Sequence, residues 1–175
     1  MENNQQVEFT FINNTVIEEI NNPNNYGTLN TLQSTVVWWD DAEGEMQPYY
    51  LKQSVVGYYS SNSATNFYYP PKNGIKSIWV GGTNTALLQI KINLTKNARL
   101  SFWYANKVNV LSATGTFFSI NGVEKAKWTT NVDWSFMIIN LEPGENDIIW
   151  EKKDGNLNNN AYYLSLDDIL IYYTE

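Results

Sequence analysis

Apolar residues alternate with polar ones along almost the whole chain, and no segment shows a 3.6-residue period. Side chains of a strand point alternately to opposite faces, so this pattern encodes sheet rather than helix. β-Branched and aromatic residues fill the alternating positions, marking strands near 7–12, 35–39, 54–59, 75–80, 87–94, 99–105, 116–120, 135–141, 147–152 and 162–173. Residues 16–20 suit either a short helix or a further strand. Asn73-Gly74, Gly81-Gly82, Asn121-Gly122, Pro143-Gly144 and Asp154-Gly155 supply the turns between them. About ten strands at this spacing predict a single all-β domain over residues 1–175, a jelly-roll β-sandwich of two antiparallel sheets. Residues 40–73, rich in Tyr, Ser and Asn, read as long loops around one strand.

Parity divides each strand into two faces. Leu100, Phe102 and Tyr104 share one, as do Phe118 with Ile120, Met137 with Ile139 and Leu141, and Ile148 with Trp150. The opposite face is not cleanly polar, because Trp103, Phe117, Phe136, Ile138 and Ile149 fall on it. Loops of the chain itself, a partner chain or a ligand must cover them. The last strand breaks parity: Leu164 and Leu166 lie on one face, whereas Ile169, Ile171 and Tyr173 fall on the other. A β-bulge at Asp167-Asp168 restores a common core face.

The residue inventory excludes several chemistries. With no cysteine and no histidine, the chain lacks a thiol nucleophile, a thiolate metal site and the commonest general base. A net charge of −7 repels a phosphate backbone, so nucleic acid is not an expected partner. No stretch approaches the roughly 18 apolar residues of a membrane span, so membrane insertion is not expected. The pairs Asp40-Asp41, Glu43/Glu45 and Asp167-Asp168 are the only obvious carboxylates for glycosidase chemistry. Neighbours on a strand face opposite sides, however, so no enzyme activity is expected. Asn13-Asn14-Thr15 and Asn93-Leu94-Thr95 match the glycosylation sequon, which chance readily produces among 25 asparagines.

What the chain has in excess is flat rings and uncharged polar groups. Aromatics make up 15% and charged residues only 17%, against about a quarter charged in an ordinary domain. A pyranose offers an apolar face and a rim of hydroxyls, which an aromatic ring flanked by amides matches. One such stack covering about 100 Å² is worth about 2.5 kcal/mol. Two or three, less the cost of association, give dissociation constants of roughly millimolar to micromolar. Trp128 is the first candidate, since it lies outside every strand drawn above. Trp38 and Trp39 are adjacent, so one faces outward; placing Val37 and Trp39 in the core leaves Trp38 outside. Trp103 lies on the non-core face. Tyr68 and Tyr69 repeat the paired arrangement, with Tyr69 held extended by Pro70-Pro71.

The second half of the chain carries a resemblance. LSFWY at 100–104, FFSING at 117–122, Trp134 with the alternation to Leu141, EPGEN at 142–146, IIW at 148–150, KKDG at 152–155 and LSLDDILI at 164–171 follow in order. KSIWVGG at 76–82 and ALLQIKI at 86–92 stand where two earlier strands belong. This order resembles the galactose-binding-like and MAM-like jelly-roll superfamily, which holds many carbohydrate-binding modules. The resemblance implies a non-catalytic module for a neutral polysaccharide or glycan. It also implies a structural calcium on the terminal acidic strand, with Asp168 as ligand and Glu8 or Glu19 as partner. Calcium takes six to eight oxygens, so loop carbonyls must supply most of them; the alternative is an acidic bulge held by hydrogen bonds without metal.

The opening Met-Glu-Asn-Asn-Gln-Gln lacks the basic and apolar regions of a signal peptide. The expected setting is therefore a module of a larger secreted protein, or a complete product on a particle surface. In the second case the chain is a structural or decoration protein of a virion or other assembly, with other protein chains as partners.

Overall fold

The computed structural model describes the backbone of residues 6–12, 15–21, 33–44, 56–60, 71–81, 86–108, 115–153 and 162–174, with side chains over 35–44, 71–81, 86–107, 115–153 and 163–174. Twelve strands lie among them: β1 (Gln6–Ile12), β2 (Thr15–Asn21), β3 (Gln33–Asp40), β4 (Val56–Ser60), β5 (Lys76–Gly81), β6 (Ala86–Leu94), β7 (Ala98–Val108), β8 (Gly115–Ile120), β9 (Val123–Trp128), β10 (Val132–Leu141), β11 (Gly144–Lys153) and β12 (Tyr162–Tyr173). Residues 16–20 are strand, paired antiparallel to β1. β9 is absent from the strands that alternation predicts, although Asn121-Gly122 demands it. Both residues have positive φ, 53° and 75°, as the tightest hairpin turn requires, and such a turn returns the chain along its own strand.

The strands form an all-β jelly-roll sandwich of two antiparallel sheets. The smaller runs β6-β11-β8-β9; the larger runs β1-β2-β3-β12-β5-β4, with β7 beside β12 and β10 beside β7. β12 is the axis of the large sheet. Along one side it pairs with β7 for most of its length. Along the other it pairs first with β5, from Tyr163 to Leu166, and then with β3, from Ile169 to Tyr172.

Between the sheets the expected parity holds. Leu100, Phe102, Phe118, Ile120, Leu141, Ile148 and Trp150 are all buried in one cluster, with Met137, Ile139 and Tyr104 packed against it. Phe102 stands at its centre, 5.1 Å from the ring of Phe118 and 5.2 Å from that of Trp150 at right angles. Edge-to-face pairs of this kind add about 0.5–1.5 kcal/mol each beyond the area buried. Leu164, Leu166, Ile169 and Ile171 all join the same cluster. They do so because Asp168 and Ile169 together oppose Phe102, the register running from Asp167↔Trp103 to Leu170↔Ser101. The bulge inferred from parity is present, with Asp168 at φ 47°.

Candidate functional site

The bulge lies where β12 passes from β5 to β3, and two turns converge on it. One, residues 40–44, leaves β3; the other, residues 71–76, enters β5. Asp167 is fully buried and organises the second turn. Its Oδ2 accepts the backbone N–H groups of Lys72 (2.9 Å) and Asn73 (3.1 Å), and its Oδ1 accepts that of Asp168 (2.9 Å). The Asn73 side-chain amide donates to Asp168 Oδ2. Glu43 ties the two turns together: its Oε1 accepts from Ile75 N (2.8 Å) and Lys76 N (2.9 Å), while Lys76 Nζ donates to its carbonyl at 3.0 Å. Within the first turn, Asp40 Oδ1 accepts from Ala42 N and Asp41 Oδ1 from Glu43 N.

Electrostatics at the bulge follow from burial. Desolvation pushes the Asp167 carboxyl up to about 7, against the pull of the Asn73 N–H and with a further rise from Asp168. Asp168 is also raised, first by burial; the Asn73 amide opposes the rise, and the charges of Asp41 and Glu43 add to it. Losing water disfavours the charged form, and like charges nearby disfavour it further.

Asp168, Glu8 and Glu19 do not meet. Glu8 and Glu19 face each other across the β1–β2 ladder, beyond the Ile17↔Gln33 pair where β2 joins β3. Asp168 neighbours the Ile169↔Asp40 pair at the opposite end of β3, about 20 Å away at some 3.3 Å per residue. Among the described residues no three acidic side chains gather in a cation-binding group. At the bulge, Asp167, Glu43 and Asp168 each accept protein N–H groups, and the strand register does not bring Glu8 or Glu19 to Asp168 as one ligand set.

The aromatic candidates separate in the structure. Trp128 is buried, at 8% exposure, because it closes β9 on the core side of the hairpin and lies 4.7 Å from the ring of Tyr104. Nearby, Asn106 holds the chain after β9 through a hydrogen bond to the Thr130 carbonyl at 2.7 Å. Trp128 is therefore a core residue, not a loop platform. Trp38 and Trp39 exchange the expected roles. The β3–β12 register skips Val37, passing from Ile171↔Trp38 to Tyr172↔Val36. Val37 and Trp38 consequently pack on the main core, while Trp39 pairs with Leu170 on the outer face and is 43% exposed. Trp103 lies on the same outer face but is half-buried: its ring is 5.0 Å from that of Phe136, and Lys72 Nζ sits 4.3 Å from its centroid. Tyr68 and Tyr69 lie outside the described residues. Among the described side chains, Trp39 is the one aromatic residue in the exposed range.

Comparison with solved structures places this architecture. The CBM22-1 xylan-binding domain from Paenibacillus barcinonensis Xyn10C superimposes with a TM-score of 0.50 at 15% identity, covering 81% of this chain and 96% of that one. The fold is a jelly roll, shared with that domain. A Family 16 Carbohydrate Binding Module-2 matches at TM-score 0.41 and 14% identity, over 57% of this chain and 78% of its own. TmCBM61 in complex with beta-1,4-galactotriose matches at TM-score 0.42 and 14% identity, over 69% and 82%. No protein-family model and no curated protein sequence matches the chain.

Residues that composition did not single out complete the site. Lys72, Asn73 and Ile75 belong to a turn whose signal, Asn73-Gly74, is plain in the sequence. Their attachment to Asp167 and Glu43 is not, because it joins segments 32 to 95 residues apart.

Proposed function

We propose that this chain is a non-catalytic carbohydrate-binding module that takes a neutral polysaccharide or glycan against the indole of Trp39. The exposure of that ring, 43% on the outer face of the large sheet, carries the reading. Burying a large flat ring is favourable, so the part of this ring that stays exposed is suited to an apolar ligand face. Hydrogen-bonding groups lie along the strand from it: Asp41 in the turn that follows, and the exposed Lys72 and Asn73 in the turn docked beside it. Jelly-roll architecture and a chain rich in asparagine and poor in charge support the same reading. Asp40, Asp41, Glu43 and Asp167 each accept backbone N–H groups and hold turns. That use speaks for a binding module over a hydrolase, in which two carboxyls face each other across the scissile bond.

Affinity electrophoresis through gels containing neutral polysaccharides, supported by a glycan array, tests the proposal. One stacked ring is worth about 2.5 kcal/mol, so Trp39→Ala should weaken binding tenfold or more while leaving the melting temperature in place. If no polysaccharide retards the protein, or if Trp39→Ala migrates like the wild type, the proposal fails.

A further inference from the structure

The turn that enters β5 carries an Asn-Gly dipeptide that the fold itself enforces. Gly74 has φ 60°, a conformation that favours glycine, and a side chain there would run into the Glu43 carboxylate. Asn73 is held by the contact of its side-chain amide with Asp168. Backbone N–H groups on either side are engaged, those of Lys72 and Asn73 by Asp167 and those of Ile75 and Lys76 by Glu43. Between them the Gly74 N–H meets no acceptor among the described residues. Asn73 and Gly74 are both exposed, so water reaches them.

We propose that Asn73 deamidates spontaneously with the help of the Asp168 carboxyl, and that the acid so formed loosens the turn from the bulge. The Gly74 nitrogen attacks Asn73 Cγ, forming a C–N bond and losing its proton. The Cγ–Nδ2 bond then breaks and ammonia leaves. Water opens the resulting cyclic imide at either carbonyl, giving aspartate or isoaspartate, the latter with one more carbon in the main chain. Overall one water enters and one ammonia departs, and nothing is oxidised or reduced. The nucleophile has no hydrogen bond to break and no Cβ beside it. The departing nitrogen already rests on Asp168 Oδ2, so that carboxyl can hand it the proton it needs to leave and recover the one that Gly74 gives up. The product sets a new carboxylate against Asp168, and like charges so close disfavour the docked turn. Asn121-Gly122 provides the internal comparison. It is the loop between β8 and β9, closed by the Ile120↔Val123 pair. Asn121 N donates to the Asp147 carbonyl at 2.8 Å, and Asp147 N donates to Asn121 Oδ1 at 2.7 Å. Bringing Gly122 N onto Cγ there requires opening the hairpin. The reaction at Asn73 does not depend on the glycan reading above.

Peptide mapping by mass spectrometry, with isoaspartyl methyltransferase to count isoaspartate, follows both sites in the folded protein held at neutral pH. Asn73 should convert faster than Asn121 by about tenfold or more, because only the second site must wait for local opening. In urea the two rates should converge. Asp168→Asn keeps the left-handed backbone, which asparagine tolerates, and keeps an acceptor for the Asn73 amide, but passes no proton. It should slow Asn73 by about tenfold and leave Asn121 as it was. Asn73→Asp stands in for the product and should melt below the wild type above neutral pH. Equal rates at the two sites in the folded protein, or an Asn73 rate untouched by Asp168→Asn, overturns the assisted reaction. An Asn73→Asp variant that melts with the wild type overturns the loosening of the turn. Should Asp168→Asn fail to fold, the wild type decides alone: a ratio of the two rates no larger in the folded protein than in urea overturns the proposal.

Discussion

Asp167 makes the stability of this domain fall as pH rises through neutrality. Its carboxyl moves from the ordinary 3.8 to about 7 on folding. Below 3.8 it is protonated in both states; between the two values the folded chain keeps a proton that the unfolded chain has lost. Protonation therefore favours the folded state, and this contribution is fully present at low pH and lost as pH climbs through about 7. At 1.36 kcal/mol per pKa unit, the difference between 3.8 and about 7 sets a ceiling of about 4 kcal/mol. Normal carboxylates finish titrating by about pH 5.5, and the chain has no histidine and no cysteine. Among the described carboxyl groups, Asp167 and, in the same direction, Asp168 are the ones raised on folding, so they set the slope from there toward pH 7. Urea unfolding at intervals from pH 5.5 to 8 should show the free energy dropping by as much as about 1.4 kcal/mol per pH unit. Asp167→Asn abolishes its own part of the slope and leaves that of Asp168. Because an amide places an N–H where Oδ1 accepted the Asp168 N–H, the variant also starts from a lower baseline, so the slope is the readout. A wild-type free energy that is flat or rises across this window refutes the reasoning.

Two further outcomes follow from the site. Trp128→Ala empties a core position under Tyr104 and should cost about 3–5 kcal/mol of stability, while the fraction that remains folded binds polysaccharide as the wild type does; selective loss of binding would return Trp128 to the site. Excess chelator should leave the melting temperature unchanged, because the acidic groups at the bulge are answered by N–H donors; a chelator-induced fall, reversed by added calcium, overturns that description.

What was legible in the sequence was whatever period two encodes. The core faces of residues 100–104, 118–120, 137–141 and 148–150 stand as parity placed them, and the misfit around Asp167-Asp168 located the bulge. Parity fails wherever a second irregularity goes unnoticed. Val37 is skipped in the ladder, and this alone exchanges Trp38 with Trp39 between inside and outside. β9 was hidden because Glu124, Lys125 and Lys127 dilute its alternation, and because a further register shift between Phe118 and Ser119 interrupts the ladder. Least legible were the partners of the acidic groups. Nothing local to Asp167 announces that Lys72 and Asn73 will deliver two N–H groups to it, since such contacts exist only once β5 and β3 have docked end to end along β12.

The position of β12 also sets an order of events during synthesis. It leaves the ribosome after β3, β5 and β7, yet all three pair with it. Until residue 162 and those after it emerge, β3 and β5 have no shared neighbour, and the β7–β10 pair has nothing to join on its inner side. Translation adds roughly 5–20 residues per second, so the earlier segments wait for seconds with apolar faces uncovered. The large sheet is completed around a strand that arrives after every element it joins.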